Sequence, residues 1–474
     1  MATSFCFSAS QRKTKKLCEL CVSAVKRLRN SFPDSRQPMQ INDKKAIFGW
    51  TMYDWANSAF ATTIMAGFFP IFFKQFWSVG ADTTLSTARL GLANSVAGIV
   101  VALCAPVLGA IADKGSSKKK FLLFFAFIGI VMTLALYMVS KGNWPTAVLL
   151  YVFATVGFSG GNIFYDALIT GVASEKKLDF ISALGFSLGY LGGGILFAVN
   201  VWMTLSPATF GFAGAGEAVR FAFLTVGIWW AVFSIPLMLF VREPSAIEAR
   251  SEVNVVKAGF SQLRETFQEI RYLKTIFLFL VAYWLYIDGV NTVIRMAVDY
   301  GISIGFKSND LIVALLITQF VGFPSAMGFG YFGGRFGAKR AIFVAIAVYL
   351  FVSIWAAFMK SSTEFYVLAI IVGLVQGGIQ ALSRSFFAKI IPIDKSAEYF
   401  GFYNMVGKFA AVIGPVFIGG VGLLVRQIGY SSNMASRISI SSVSLFFIAG
   451  GVLLFFVNEE RGKQELKYLS KGSA

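Results

Sequence analysis

Histidine is absent from all 474 residues of the chain. That excludes a Ser-His-Asp triad, a His-ligated haem and the usual mononuclear zinc site, and it leaves carboxylates to carry any proton relay inside a membrane. Charge is scarce as well: Asp, Glu, Lys and Arg make up 14% of the sequence, against roughly 25% in soluble domains. Cysteine is limited to Cys6, Cys18, Cys21 and Cys104. The C-E-L-C spacing at 18 to 21 has no second pair to complete a zinc site, so reduced, unpaired thiols are expected. No Walker lysine accompanies the glycines at 185, 189 and 192 to 194, so ATP-driven transport is disfavoured and these glycines read as permitting close packing and rocking of a helix. No metal and no other cofactor is expected.

What is abundant is apolar surface. Hydrophobic residues make up 56% of the chain, and 50 Phe and 46 Gly suit helices packed in hydrocarbon. Twelve apolar runs of spanning length, roughly 20 residues each, fall near 47-73, 87-111, 121-140, 145-170, 180-204, 219-241, 273-300, 310-333, 340-359, 365-390, 398-424 and 438-457. The net charge of +18 collects between them, not on a nucleic-acid face. Loops after even-numbered spans hold Lys118, Lys119 and Lys120, then Lys176 and Lys177, then Arg335, Lys339 and Arg340, so the positive-inside rule puts both termini in the cytoplasm. A multi-pass protein of an inner or plasma membrane is expected, with an organelle membrane as the alternative. Residues 1-44 form a basic tail whose first 38 residues read as an organelle-targeting arm, a disordered tail, or sequence upstream of a true start at Met39. The rest divides into a six-helix half at 45-241, a polar linker at 242-272, a second half at 273-457 and a cytoplasmic tail at 458-474.

The halves repeat. GAIADKGSSKKK, starting at Gly109, corresponds to GYFGGRFGAKR, starting at Gly330; ASEKKLDF after span 4 corresponds to IPIDKSAEYF after span 10, aligning Asp179 with Glu398. Asp54-x-x-Asn57 in span 1 recurs as Asp288-x-x-Asn291 in span 7. The fold class expected is an all-α membrane protein of twelve transmembrane helices in two pseudo-symmetric six-helix halves.

Ionisable side chains inside such spans cost about 2.5 to 3.5 kcal/mol near the helix centre and need a partner or a wet cavity. Asp54 lies roughly 10 Å into span 1 and Asp288 roughly 22 Å along span 7 at the helical rise. Both are candidates for loading a proton; alternatively each belongs to a permanent pair, with Lys408 or Arg295. Arg295 and Asp299 read as an interfacial pair. Gln376, Gln380 and Arg384 form one helical stripe, as do Asn404 and Lys408, although the glutamines could equally serve helix packing. Asp113 reads as a latch that accepts from a neighbouring helix N-terminus or from loop lysines, or as a carboxylate that only solvates a helix end.

The motif Gly109-x-x-x-Asp113-Lys114 resembles the loop between helices 2 and 3 of the major facilitator superfamily; the second copy keeps Arg335 and Gly337 but has Gly334 in place of the Asp. YDWANSAF from Tyr53, SALGFSLGYLGGG from Ser182, IDGVNT from Ile287 and GGIQALSRSFFAKIIP from Gly377 resemble the branch related to fungal vacuolar amino-acid effluxers of autophagy. The resemblance implies that spans 1, 4, 7 and 10 line a central cavity, so that Asp54, Asn57, Asn162, Asp166, Asp288 and Asn291 face it. It also implies secondary transport, with amino acids as the leading candidate; the carboxylates, amides and cations of the spans themselves suit a small polar solute and protons as coupling ion, and a monomer is expected. The competing readings are a non-transporting membrane sensor with this fold and a membrane enzyme; the latter lacks an activated nucleophile or acidic metal cluster.

Overall fold

The computed structural model describes residues 41–80, 83–114, 117–243, 266, 273–303, 306 and 308–472, and among these, runs of apolar residues broken by short polar loops form twelve long helices, with a polar one after them. In the first half these are α1 (Lys44–Trp77), α2 (Thr83–Lys114), α3 (Lys118–Ala135), α4 (Trp144–Val172), α5 (Leu178–Leu205) and α6 (Ala215–Phe240). The second half holds α7 (Lys274–Ser303), α8 (Ser308–Phe336), α9 (Ala338–Phe358), α10 (Ser362–Lys389), α11 (Ser396–Gln427) and α12 (Asn433–Phe456). Eleven of these twelve meet both length and hydropathy requirements for a span over their described residues, and the other, α11, is 32 residues long with its apolar stretch at Val416–Gln427. The expected basic arm with Cys6, Cys18 and Cys21, and nearly all of the expected linker, lie outside the described residues, as do the side chains of Lys114, Arg295 and Asp299.

The segment expected as a cytoplasmic tail, 458-474, is helical over most of its length. Glu459–Gly472 is a helix, α13. Its first turn is held by Asn458, whose side chain accepts the Arg461 N–H at 3.1 Å. Ion pairs one turn apart, Arg461–Glu465 and Lys463–Glu459, support the rest.

The helix carrying Asp54 is irregular just beyond it. α1 is π-helical over Phe60–Phe68 and again over Phe73–Trp77, with the Phe69 N–H bonded to the Ile64 carbonyl five residues back. Such widened turns re-aim side chains and occur often at functional sites.

The repeat seen in the sequence has a physical basis at the helix ends where the lysines gather, here called the basic side. Lys119 donates to the carbonyls of Met238 and Val241 at the end of α6 (2.6 and 2.7 Å), and Lys339 donates to those of Phe455 and Val457 at the end of α12 (2.8 and 2.6 Å). Each half thus uses one lysine to satisfy the last, otherwise unpaired carbonyls of its sixth helix. The two halves meet where α2 lies along α11 and α5 lies along α8. These crossings are tight because of glycine. A methyl at Gly401 would stand 2.6 Å from the Ala105 carbonyl oxygen, one at Gly109 would overlap the Ala397 backbone, and one at Gly330 would overlap Ala183.

Lys339→Met strands two helix-end carbonyls, at a cost of about 1–3 kcal/mol. A lowered melting temperature in detergent is expected for it and for Lys119→Met, with no change for the exposed Lys176→Met; equal melting of all three would contradict the capping role.

Candidate functional site

Two carboxylates of the first half converge on one guanidinium of the second. Arg384, in the last two turns of α10, places Nη1 at 3.0 Å from Asp166 Oδ1 on α4 and 3.8 Å from Asp54 Oδ2 on α1. Its other donors are taken by α5: Nε donates to Ser182 Oγ at 2.9 Å and Nη2 to the Ser182 carbonyl at 2.8 Å. Arg384 is 2% exposed and each carboxylate residue 8%. Burial at this level is tolerated because the charges are paired and hydrogen-bonded; removing one partner of such a pair costs about 3–5 kcal/mol.

Aromatic rings complete the site. Trp50 and Tyr165 stack at 4.4 Å with planes 11° apart, and the Trp50 indole N–H donates to the Tyr165 carbonyl at 2.9 Å. The guanidinium carbon of Arg384 lies 4.8 Å from the Trp50 ring centre and 4.4 Å from that of Phe186, within cation–π range. Tyr165 donates its hydroxyl to Asp54 Oδ2 at 3.0 Å. Gly185 makes room for this arrangement: a Cβ there would meet Tyr165 Oη at 2.8 Å and both Asp54 Oδ2 and Trp50 at 2.9 Å.

Of the residues expected from sequence, Asp54, Asp166, Arg384 and Asn404 come together. Asn404 donates to Asp166 Oδ2 at 3.2 Å, and Lys408, one turn further along α11, is near enough to act electrostatically on Asp166. Asn57 donates to Asn162 at 2.7 Å, tying α1 to α4 one turn beyond Asp54. Gln376 pairs with Tyr190 of α5, while Gln380 and Asn291 are partly buried. Asp288, the sequence echo of Asp54, sits elsewhere: its carboxylate accepts the Gly414 N–H at 3.0 Å and the Thr292 hydroxyl at 3.3 Å, between α7 and α11. Sequence repetition at these two aspartates does not carry over into equivalent surroundings. Ser182, Tyr165, Trp50 and Phe186 were missed; the available signal was that Tyr165 adjoins Asp166 and that Ser182 opens the glycine-rich run.

A second cluster holds the basic ends of the halves together. Asp113 accepts the backbone N–H groups of Ala397 (3.2 Å) and Glu398 (2.8 Å) in the first turn of α11. Lys118 lies 2.9 Å from Asp113 and donates to Ser396 Oγ at 2.8 Å. A carboxylate on a helix N-terminus meets both unpaired N–H groups and the positive end of the dipole, and Gly109 lets the two helices approach closely enough for it. At the pseudo-equivalent loop Gly334 offers no carboxylate and Arg335 is exposed, 5.5 Å over Phe336. There the contact is made from the other side: Asp179 of α5 takes the Ser385 hydroxyl at 2.6 Å and Lys389 Nζ at 2.7 Å, both on α10.

Two pseudo-repeated six-helix halves with buried charges at their seam define a transporter of the major facilitator superfamily. The fold matches the proton:xylose symporter XylE with a TM-score of 0.67 at 12% identity, covering 90% of this chain and 97% of that one. It also matches the human organic anion transporter MFSD10 with a TM-score of 0.65 at 14% identity, covering 86% and 98%. Within that class the chain belongs to the family described as vacuole effluxer Atg22 like, which matches residues 86–467. It is 38% identical to the uncharacterized MFS-type transporter YxiO of Bacillus subtilis (strain 168) over 87% of this chain and 94% of that protein. Identity to autophagy-related protein 22 of Saccharomyces cerevisiae (strain ATCC 204508 / S288c) is 23% over 90% of this chain and 94% of that protein. The chain is thus a multi-pass membrane transporter, not an enzyme.

Arg384→Gln leaves Asp54 and Asp166 facing each other without their guanidinium, and a loss of about 3–5 kcal/mol is expected. Adding Asp166→Asn removes one of the two facing charges, so the double variant should melt higher than Arg384→Gln alone. Strict additivity of the two substitutions in a detergent melting series would show that the residues do not interact.

Proposed function

We propose that the chain is a proton-coupled secondary transporter of small zwitterionic solutes, amino acids first among them, working by alternating access. The observation that supports this reading most strongly is Arg384 of one half seated between Asp54 and Asp166 of the other. Opening the basic side draws α10 away from α1 and α4 and withdraws the guanidinium. Two carboxylates then remain together in a low-dielectric site, which is unfavourable unless a proton or a cationic group replaces the lost charge. A proton entering Asp54 or Asp166 therefore favours opening, and its release favours reclosure. That coupling assigns the proton to the pair on α1 and α4; Asp288, bonded to Thr292 and a backbone N–H, takes a helix-packing role instead.

The same groups suit a zwitterion. A solute carboxylate can compete for Arg384 while a solute ammonium takes the vacated Asp54 and Asp166, with Asn57, Asn162 and Asn404 near enough to hydrogen-bond polar parts. The vacuole effluxer family and the MFS-type transporter YxiO agree with movement of a solute. The Asp113–Lys118 contact with α11 serves as the gate on the basic side, and by the positive-inside rule that side faces the cytoplasm.

The test is uptake and counterflow in proteoliposomes with a panel of labelled amino acids, with and without a pH gradient. Accumulation that follows the gradient is expected for the wild type. Asp54→Asn and Asp166→Asn should each lose acceleration by the gradient and exchange solute more weakly, since each also removes one of the two carboxylates offered to the solute ammonium. Proton-driven flux unchanged in both variants would remove the coupling from this pair, and solute binding without flux in the wild type would make the chain a sensor.

A further inference from the structure

Both halves end their sixth helix on the basic side, and the second half continues from there into α13. One face of this helix is fixed to the half it belongs to. Glu465 accepts the backbone N–H of Thr275 in the first turn of α7 at 3.2 Å. Gly462 lies flat on Thr275 and Ile390: a Cβ there would stand 3.0 and 3.1 Å from their methyl groups. From this anchored position Lys463 reaches the other half. Its ammonium lies 2.7 Å from Glu175 in the α4–α5 turn, and Glu459 (3.0 Å) and Glu460 (3.4 Å) of α13 surround the same group.

We propose that α13 is a strap across the seam, anchored on the second half and fastened to the first through Lys463 and Glu175, which sets how readily the basic side opens. The proposal rests on the alternating-access reading above. Glu175 travels with the first half, whereas Thr275 and Ile390 travel with the second, so separating the basic ends breaks the Lys463–Glu175 contact and leaves the anchor intact. The strap is distinct from the Asp113 gate in position and strength. Its carboxylate is 60% exposed, so it shifts the equilibrium modestly: exposed ion pairs are worth about fivefold or less. The hydrogen bond from Lys463 holds the Glu175 carboxyl below the usual glutamate range, with the Lys463 and Lys389 charges acting in the same direction. The fastening is therefore ionised wherever ordinary glutamates are.

The test uses the full chain with its native cysteines replaced by serine, reconstituted in liposomes. In one arm a short bismaleimide links Glu175→Cys to Lys463→Cys; flux should fall at least tenfold while solute binding from the opposite side persists. In the second arm the labelling rate of a cysteine at the buried seam position Thr170 reports opening of the basic side. Glu175→Gln and Lys463→Met should each raise that rate about two- to fivefold, with unchanged melting temperature. Undiminished flux in the linked protein, or labelling rates equal to those of the parent, would overturn the strap. The labelling arm reads the seam directly and decides the matter even when the parent moves no solute, an outcome that would instead remove the transport reading.

Discussion

The arrangement of the molecule depends on one contact, the Arg384 guanidinium of the second half held between Asp54 and Asp166 of the first. Three charges largely buried at the seam of two helical bodies are stable only while they remain together, because burial has cost each most of its hydration. Much of the surrounding sequence serves that requirement. Ser182 takes two guanidinium donors, Tyr165 and Asn404 each satisfy a carboxylate oxygen, and Gly185 removes the side chain that would otherwise occupy the space. Trp50, stacked on Tyr165 and bonded to its carbonyl, holds that tyrosine in place.

The basic side is closed by three largely buried contacts and one exposed contact at the rim. The buried ones are the Arg384 cluster, Asp179 with Ser385 and Lys389, and Asp113 with Lys118 and the start of α11; at the rim stands Lys463 with Glu175. The halves are built alike and fastened differently. Lys119 and Lys339 do the same work in each, and Gly109 and Gly330 allow the same close approach, yet a carboxylate bonds the facing helix end at Asp113 and none stands at Gly334. Under the proposed alternating access, this asymmetry would leave the separation of the halves at the basic end to a small number of charges.

Much of the fold was legible in the sequence because its cause is local. Apolar runs of spanning length mark the helices, and the repeat at Gly109 and Gly330 marks the two halves, since both follow from what a bilayer and a tight helix crossing demand. The contact of Asp113 with a neighbouring helix N-terminus and a loop lysine was one of the two uses that the sequence left open for it. The partner of Asp54 was not legible, because Arg384 lies 330 residues away and only the packing of α10 against α4 and α5 brings it near. Nor did the spacing Asp-x-x-Asn distinguish Asp54 from Asp288. Equal spacing on pseudo-equivalent helices places one aspartate beside Arg384 and Tyr165 and the other on the Gly414 N–H and the Thr292 hydroxyl, according to what neighbouring helices supply. The helix at α13 was passed over because short polar segments carry weak signals until their caps and ion pairs are seen.

The central claim is that the two carboxylates hold the basic side shut through Arg384. It is tested most directly by spin-label distance measurement between cysteines at the exposed positions Lys176 and Asp394, on the basic ends of the two halves, in the wild type and in Asp54→Asn/Asp166→Asn. The account predicts a shift of the distance distribution to longer separations in the double variant, because the guanidinium has lost both of its counter-charges. Identical distributions in the two proteins would contradict it.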